Sequence, residues 1–368
     1  MNINIKRELL LPALQRTNNV IEKRQTIPIL GNILFSCDAQ QVSITGTDTE
    51  VEVVSFLNHS VNEKLSIAIP GRKLFDICRE LPEGADLKLT LNSEKVVIKS
   101  GRSRFTLAVS SADEFPRIGE FEVKKEIKIL CNELKLLIDK TEFAMANQDV
   151  RSYLNGLLLE FVDNQLRSVA TDGHRLAIAE REKNNNERTN YRCIIPRKGV
   201  MEINRLISSG GPNSEVELFL GENHLKIKIK DASLTTKLLE GTFPDYRKVI
   251  PEEGKTPVLV KKEDLRGGVS RAAVLSSERN PLIRMSFVKN QVILIGNNQE
   301  QEEAIEEVEV EYSGAEMEVG FNVTYLLDIL AVIESDKVRI DLQSPDSSCL
   351  ISSPDEPDSQ FVVMPMRI

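Results

Sequence analysis

The chain has 368 residues, is 41% hydrophobic and 28% charged, and carries a net charge of −9. That length is more than one core comfortably serves and predicts two or three domains of a soluble globular protein. The start lacks a basic stretch leading into a long apolar run, and no apolar run approaches the length of a membrane span. Neither a signal peptide nor a transmembrane segment is therefore expected. The five cysteines (Cys37, Cys78, Cys131, Cys193, Cys349) are scattered without CxxC spacing, which argues against metal or disulfide use and fits a reducing cytoplasm. With no Trp, aliphatic residues must dominate the core. The acidity is uneven. Residues 1–124 are net neutral, residues 125–250 carry +2 and residues 251–368 carry −11, much of it in EQEEAIEEVEVE at 300–311.

In chain order, apolar spacing predicts helices near 7–22 and 71–81, with a three-stranded hairpin unit between them at 32–54. The same series then recurs: a helix near 132–147, a hairpin unit at 155–179 and a helix near 197–208. It recurs once more as a helix near 262–278, a hairpin unit at 281–308 and a helix near 323–334. Thr47-Asp48 is matched by Thr171-Asp172 and then by Asn298, and Phe115-Pro116 by Phe243-Pro244. A spacing held near 126 residues across independent features means three copies of one domain, at 1–124, 125–250 and 251–368. Each copy holds two helices and roughly eight short strands, an α+β architecture. Basic residues fall on or beside the helices of all three copies, among them Arg7, Arg16, Arg79, Lys135, Lys140, Arg205, Lys262 and Arg271, so a shared basic surface is expected.

The stretch ATDGHRLA (170–177) is the place to look for catalysis, since His beside Asp is the raw material of acid–base chemistry. Asp172 and His174, two residues apart, would share a face if they sat on a strand. No nucleophile lies near them in sequence, and the first and third copies carry Asp48-Thr49-Glu50 and Asn298-Gln299-Glu300 at that position. The position thus reads as a structural turn and His174-Arg175 as a specialisation of the second copy. There is no phosphate-binding loop, no nucleophile elbow and no pair of histidines at metal-ligand spacing. No cofactor is expected, and a hydrolase built on Asp172 and His174 is the weaker reading. A basic-helix protein that binds DNA ends or lesions directly is a third.

Together with the repeat, ATDGHRLA, GTFPDYRKVIP (241–251), YSGAEMEVGFNVTYLLD (312–328) and the terminal VVMPMRI (362–368) give a specific, end-to-end resemblance. The chain resembles the bacterial DNA sliding clamps, the beta subunits of the replicative polymerase. The resemblance implies three DNA-clamp domains, each of two helices packed on antiparallel sheets, forming half of a six-domain homodimeric ring. Treated as spheres of about 35 Å, three such domains would close on a hole of only about 5 Å and six on one of about 35 Å. Only the larger passes a duplex about 20 Å across.

The resemblance implies a non-catalytic processivity factor that slides on double-stranded DNA. Its implied partners are the polymerase catalytic subunit, a clamp-loader complex, and other polymerases and repair proteins carrying clamp-binding peptides. DNA-facing residues would be Arg24, Arg72, Lys73, Arg79, Gln148, Tyr153, Arg197 and Lys198. Glu300, Glu302, Glu303 and Glu306 of one subunit would meet Lys73, Lys99, Arg102 and Arg104 of the other, with Phe105 and Leu107 against Val274 and Leu275. The implied peptide cleft comprises Leu154, Thr171, Gly173, His174, Arg175 and Leu176 from the second domain. Pro244, Lys248 and Val249 follow it, and Ser348, Val362, Met364, Pro365, Met366 and Arg367 complete it. Lys248 stands where well-known members carry arginine and so lacks bidentate geometry. The last residue here is Ile368 rather than leucine, and both departures bear on peptide preference.

Overall fold

A computed structural model describes residues 2–21, 27–38, 41–59, 61, 64–92, 94–163, 165–182, 189–254, 256–277 and 281–368. The first repeat runs β1 (Asn2–Lys6), α1 (Arg7–Val20), β2 (Asn32–Cys37), β3 (Val42–Thr47), β4 (Val51–Leu57), β5 (Leu65–Pro70), α2 (Gly71–Glu80), β6 (Asp86–Asn92), β7 (Lys95–Ser100), β8 (Ser103–Ala108) and β9 (Ser110–Ser111). The second runs β10 (Lys125–Leu130), α3 (Cys131–Asp139), β11 (Gly156–Asp163), β12 (Gln165–Thr171), β13 (Arg175–Glu182), β14 (Thr189–Pro196), α4 (Arg197–Ser208), β15 (Glu215–Leu220), β16 (His224–Ile229) and β17 (Ala232–Lys237). The third runs β18 (Val258–Lys261), α5 (Lys262–Ala273), β19 (Leu282–Val288), β20 (Gln291–Asn297), β21 (Glu303–Glu309), β22 (Met317–Asn322), α6 (Val323–Val332), β23 (Lys337–Asp341), β24 (Cys349–Ser353) and β25 (Glu356–Val363). The fold is α+β, and the named strand pairs are antiparallel.

The compact bodies cut across the repeats. One unit spans Met1–Lys135 and Lys198–Leu238, the other Leu136–Arg197 and Leu239–Ile368. The first unit holds a four-stranded sheet, β1-β6-β7-β8, and a nine-stranded sheet, β10-β15-β16-β17-β4-β3-β2-β5-β9. The second holds an eight-stranded sheet, β14-β11-β12-β13-β25-β24-β23-β18, and a four-stranded sheet, β21-β20-β19-β22. The middle repeat is thus shared out, and each large sheet joins two repeats. In the first unit β4 pairs with β17; in the second β13 pairs with β25.

Alternation along the strands explains the layering. In the first unit Val42 and Ile44 on β3 join Leu10 and Leu14 of α1, Leu74 and Cys78 of α2, and Leu87 and Ile98 of the smaller sheet in one buried cluster. Period-2 strands and period-3.6 helices each bury one face, and those faces meet. The helix comes so close that a side chain at Gly46 would lie 2.4 Å from the Thr17 carbonyl oxygen. In the third repeat one at Gly296 would lie 2.1 Å from that of Ala272. The same seat is thus built twice, and a Cβ fits at neither.

Two helices are shorter than their spacing predicts. The helix expected over 132–147 ends at Asp139, and Phe143 lies in a 3₁₀ turn over Glu142–Ala144. Tertiary demands stop it. Lys140 is 4% exposed, and its ammonium donates to Glu356 Oε2 (2.6 Å) and to the Val332 carbonyl. Thr141 turns its hydroxyl back onto the Leu137 carbonyl (2.7 Å). The helix expected over 262–278 ends at Ala273, where Val274 N–H bonds the Arg271 carbonyl and the Ser276 hydroxyl takes that of Ala273. A serine competing for backbone partners closes that helix. Residue 278, like Arg24 and residue 22 at the end of the first expected helix, lies outside the described residues.

Candidate functional site

The turn between β12 and β13 is built from its own side chains. The Asp172 Oδ1 atom accepts the N–H groups of His174 (2.9 Å) and Arg175 (3.0 Å), and the Thr171 hydroxyl donates to the Arg175 carbonyl (2.6 Å). Gly173 supplies the left-handed φ of 92° that closes it. In the first unit Asp48 and Thr47 make the same set of bonds, to Glu50 N–H, Val51 N–H and the Val51 carbonyl, with Thr49 at φ 80°. Asp172 is therefore a turn former, and the shared strand face expected for it and His174 is not found. Its second oxygen is taken by Arg175 Nε (3.1 Å), which leaves no free base beside the exposed imidazole.

Arg175 locks this turn to its surroundings. Nine-tenths buried, it donates through Nη1 to Asp328 (2.6 Å) and through Nη2 to the Phe143 carbonyl (2.6 Å). It also stacks on Tyr325 at 4.4 Å and Phe143 at 5.2 Å. Each nitrogen of the guanidinium has a protein acceptor, so Arg175 acts as a brace.

Against this turn lies a cavity of about 220 Å³, wholly inside the second unit. Leu154, Leu176, Val362 and Met364 make its apolar wall, and Pro244, Tyr246 and Val249 close it from the segment after Phe243. Thr171, Gly173, His174 and Arg175 line its edge, together with Arg151, Tyr153 and Asp245. Met364 is fixed by its N–H bond to the His174 carbonyl (2.9 Å). Tyr246 is anchored from behind: its hydroxyl donates to the buried Glu160 (2.6 Å) and accepts from Arg167 (3.0 Å). Burial, followed by the Glu160 hydrogen bond, raises its phenol pKa. At the mouth the Arg151 side chain and N–H bond Asp149, holding its carboxyl at about 2. A small apolar hollow with a few placed polar groups suits a short ligand segment.

A second candidate surface is basic. Arg72 and Lys73 are exposed in the first turn of α2, and α4 opens with Arg197 and Lys198. Cations at a helix N-terminus oppose its dipole, so these positions do not serve helix stability. Many other helix cations are engaged inside the protein. Arg7 donates to the Cys78 carbonyl, Arg16 pairs with Asp231, Arg205 with Glu202 and Arg271 with Glu306. The basic helix surface is correspondingly thinner than its sequence count.

The third feature is a pair of open sheet edges. β8 ends the sheet of the first unit and carries exposed Arg104 and half-buried Phe105, with exposed Lys99 and Arg102 beside it. β21 ends the small sheet of the second unit and carries Glu303, Glu306, Glu307 and Glu309 around Ile305, which is 58% exposed. An unpaired edge is a template for another strand, and these two edges bear opposite charge.

Comparison with known proteins decides the family. Residues 1–119, 128–245 and 247–367 match, in that order, the N-terminal, central and C-terminal domains of the DNA polymerase III beta subunit. The chain belongs to this family, the beta sliding clamps. It is 44% identical to the beta sliding clamp of Pseudomonas aeruginosa and 40% identical to that of Escherichia coli K12, in each case over the whole of both chains. Its fold matches the crystal structure of the Pseudomonas aeruginosa beta subunit with a TM-score of 0.96 at 43% identity, and that of the Caulobacter crescentus clamp with 0.95 at 36%, again over both full chains. Sliding clamps are non-catalytic processivity factors of DNA replication, in keeping with an Asp172 whose oxygens are already spoken for.

Of the clamp residues expected in the cleft, Leu154, Thr171, Gly173, His174, Arg175, Leu176, Pro244, Val249, Val362 and Met364 line the cavity. Lys248 does not: it is 80% exposed and pairs with Asp245 (3.4 Å). Ser348 lies ahead of β24, and Pro365, Met366 and Arg367 run past the cavity, where Met366 N–H bonds the Gly320 carbonyl (2.8 Å). Tyr153, expected to face DNA, also lines the cavity. Arg151, Asp245 and Tyr246 were missed, although Asp245 and Tyr246 stand inside GTFPDYRKVIP.

Among the expected DNA-facing residues, Gln148 is exposed at φ 59°, and Arg79 is exposed with its guanidinium shared between Asp76 and Glu80. Arg197 bonds the Met145 carbonyl (3.1 Å), and Lys198 is ion-paired with Asp48. At the edges, Glu300, Glu302 and Val274 are exposed and Leu275 is half-buried. Leu107 instead lies in its own domain's core, because it alternates inward along β8. Glu306 already holds Arg271 (2.8 Å). Among the described residues no helix is long and apolar enough to cross a membrane, and no cluster could hold a metal.

Proposed function

We propose that two copies of this chain close into a ring of six domains, with boundaries at 124 and 250, that encircles duplex DNA and slides on it in the cytoplasm. The opposite charge of the open β8 and β21 edges supports a head-to-tail joint. Arg102, Arg104 and Lys99 would meet Glu300, Glu302 and Glu303, with Lys73 nearby, and Phe105 would pack on Val274 and Leu275. Arg72, Lys73, Arg79, Gln148 and Arg197 face the DNA, with Arg24 assigned by resemblance alone. Phosphate contacts of this kind are independent of sequence and weaken steeply with salt.

The cavity carries the rest of the reading. A closed apolar wall beside a braced turn suits an apolar side chain of a short linear peptide, with His174 and Arg151 available to its backbone. The polymerase catalytic subunit, the clamp loader, and other polymerases and repair proteins bring such peptides to this one place. The deciding experiment compares retention on nicked circular and linear DNA after loading with a loader and ATP. A ring stays on the circle and is lost from the linear form within seconds to minutes; equal retention on both would sink the reading.

A further inference from the structure

A larger cavity, of about 560 Å³, lies in the first unit. Its roof is the segment between β9 and β10, which crosses the face of the nine-stranded sheet turned away from α1. Two clasps hold that roof. Arg117 donates through Nε (2.8 Å) and Nη2 (3.1 Å) to Glu52 on β4, whose carboxylate also accepts the Ile118 N–H (3.1 Å). Farther along, Phe121 stacks on His224 at 5.4 Å.

Register shows what this cavity is. The roof begins with Phe115-Pro116, the counterpart of the Phe243-Pro244 that opens the roof of the cavity in the second unit. The floor centres on the pair Thr235 and Glu52, where β17 meets β4; the wall of the other cavity centres on Val362 and Leu176, where β25 meets β13. The same junction of strands and the same crossing segment thus occur twice, each enclosing a hollow.

The chemistry has changed between them. Across the floor Phe219, Lys226, Thr235 and Glu52 stand opposite one another on successive strands, with Ser233 in the neighbouring row. Among the described residues, the Lys226 ammonium and the Thr235 and Ser233 hydroxyls have no protein partner, and all three residues line the cavity. Glu52 is neutralised by Arg117, and Lys228 leans to Glu217 (3.6 Å). Glu120 lines the cavity from the roof and is exposed. The unspent groups of the floor are therefore the Lys226 ammonium and the hydroxyls of Thr235 and Ser233, with those of Ser43 and Thr45 on the adjoining strand, a set that receives a carboxylate, beside the rings of Phe121 and Phe219.

We propose that this groove is a second docking site for a linear peptide, one that presents an acidic side chain to Lys226, Thr235 and Ser233 and an apolar one to Phe121 and Phe219. That the occupant is a peptide rests on the reading of the cavity in the second unit; the preference for an acid does not. The test uses the full chain with labelled Ile, Leu and Val methyl groups and two probes, Ac-Asp-Leu-Phe-NH2 and Ac-Lys-Leu-Phe-NH2. The acidic tripeptide should shift the methyls of Val54, Ile118 and Val123 saturably, and the basic one should not. Lys226→Glu should weaken that response at least 10-fold, Lys226→Ala less, both leaving the Leu154, Leu176 and Val362 methyls as they are. No shift at Val54 and Ile118 up to millimolar peptide, or shifts indifferent to Lys226, overturns the proposal. A response at Val54 and Ile118 with none at Leu176 and Val362 upholds it and counts against the peptide reading of the other cavity.

Discussion

Glu52 with Thr235 and Leu176 with Val362 occupy matching places in two copies of one strand junction, yet one pair is polar and clasped by Arg117 while the other is apolar and bare. What differs is not the backbone but what the backbone presents. The repeat conserves the turn network of Thr47-Asp48 and Thr171-Asp172 almost bond for bond, and leaves the face beside it free to change. A hollow walled by Leu176 and Val362 works by removing apolar surface from water, whereas one floored by Lys226 works by charge. Ligand binding at the Leu176–Val362 hollow should therefore be nearly indifferent to salt and at the Lys226 groove sensitive to it.

Substitutions can break that contrast at several depths. The largest effect is expected for Lys140→Met, which strands the carboxylate of Glu356 in the second unit. Burial opposes ionisation of Glu356, but Lys140 and the N–H groups of Ser335 and Glu334 outweigh it and hold the carboxyl below its usual range. Removing the cation should cost about 3–5 kcal/mol, read as an earlier urea transition of the second unit with the first unchanged. Next, Leu176→Asp should lower affinity for a clamp-binding peptide by about 100-fold or more, close to 2.7 kcal/mol, when titrated calorimetrically. Glu52→Leu imports the apolar residue of the second unit into the first. Arg117 is half exposed, so losing its partner should cost only about 1–2 kcal/mol, seen in thermal melts, while the groove keeps its salt sensitivity because Lys226 remains.

The smallest effect is on pH dependence. Burial, then the charge of Lys237, lowers the pKa of His224, so the fold keeps it neutral where the unfolded chain has already bound a proton. Stability is full above the ordinary histidine range and falls as the pH drops through it. His224→Phe, which keeps a ring against Phe121, should flatten the change in melting temperature between pH 7.5 and 5.5; an unchanged slope would remove His224 from the clasp.

Local pattern made much of this legible. The three hairpin units fall at β2–β4, β11–β13 and β19–β21, where alternation and spacing put them, and Asp172 is the turn former that its counterpart Asp48 suggested. The end of α3 was not legible, because Lys140 is held by Glu356 and Val332, more than 190 residues away in the chain. For the same reason the fates of helix cations escaped notice: nothing near Lys198 or Arg16 announces Asp48 or Asp231. In the cavity, Leu154, Leu176, Val362 and Met364 followed from the family motifs. Arg151 and Tyr246 did not, since their places depend on a bond to Asp149 and on the buried Glu160.

The brace around Arg175 has a further consequence for timing and choice. With its guanidinium held by Asp172, Asp328 and the Phe143 carbonyl, the turn beside the cavity is already in its final form before anything arrives. An incoming segment then meets no cost of ordering that turn, and the turn does not discriminate by reshaping itself around a favoured guest. Selection among guests passes to how long each stays and how concentrated each is held nearby, so a weak segment tethered close by can displace a stronger one that is free.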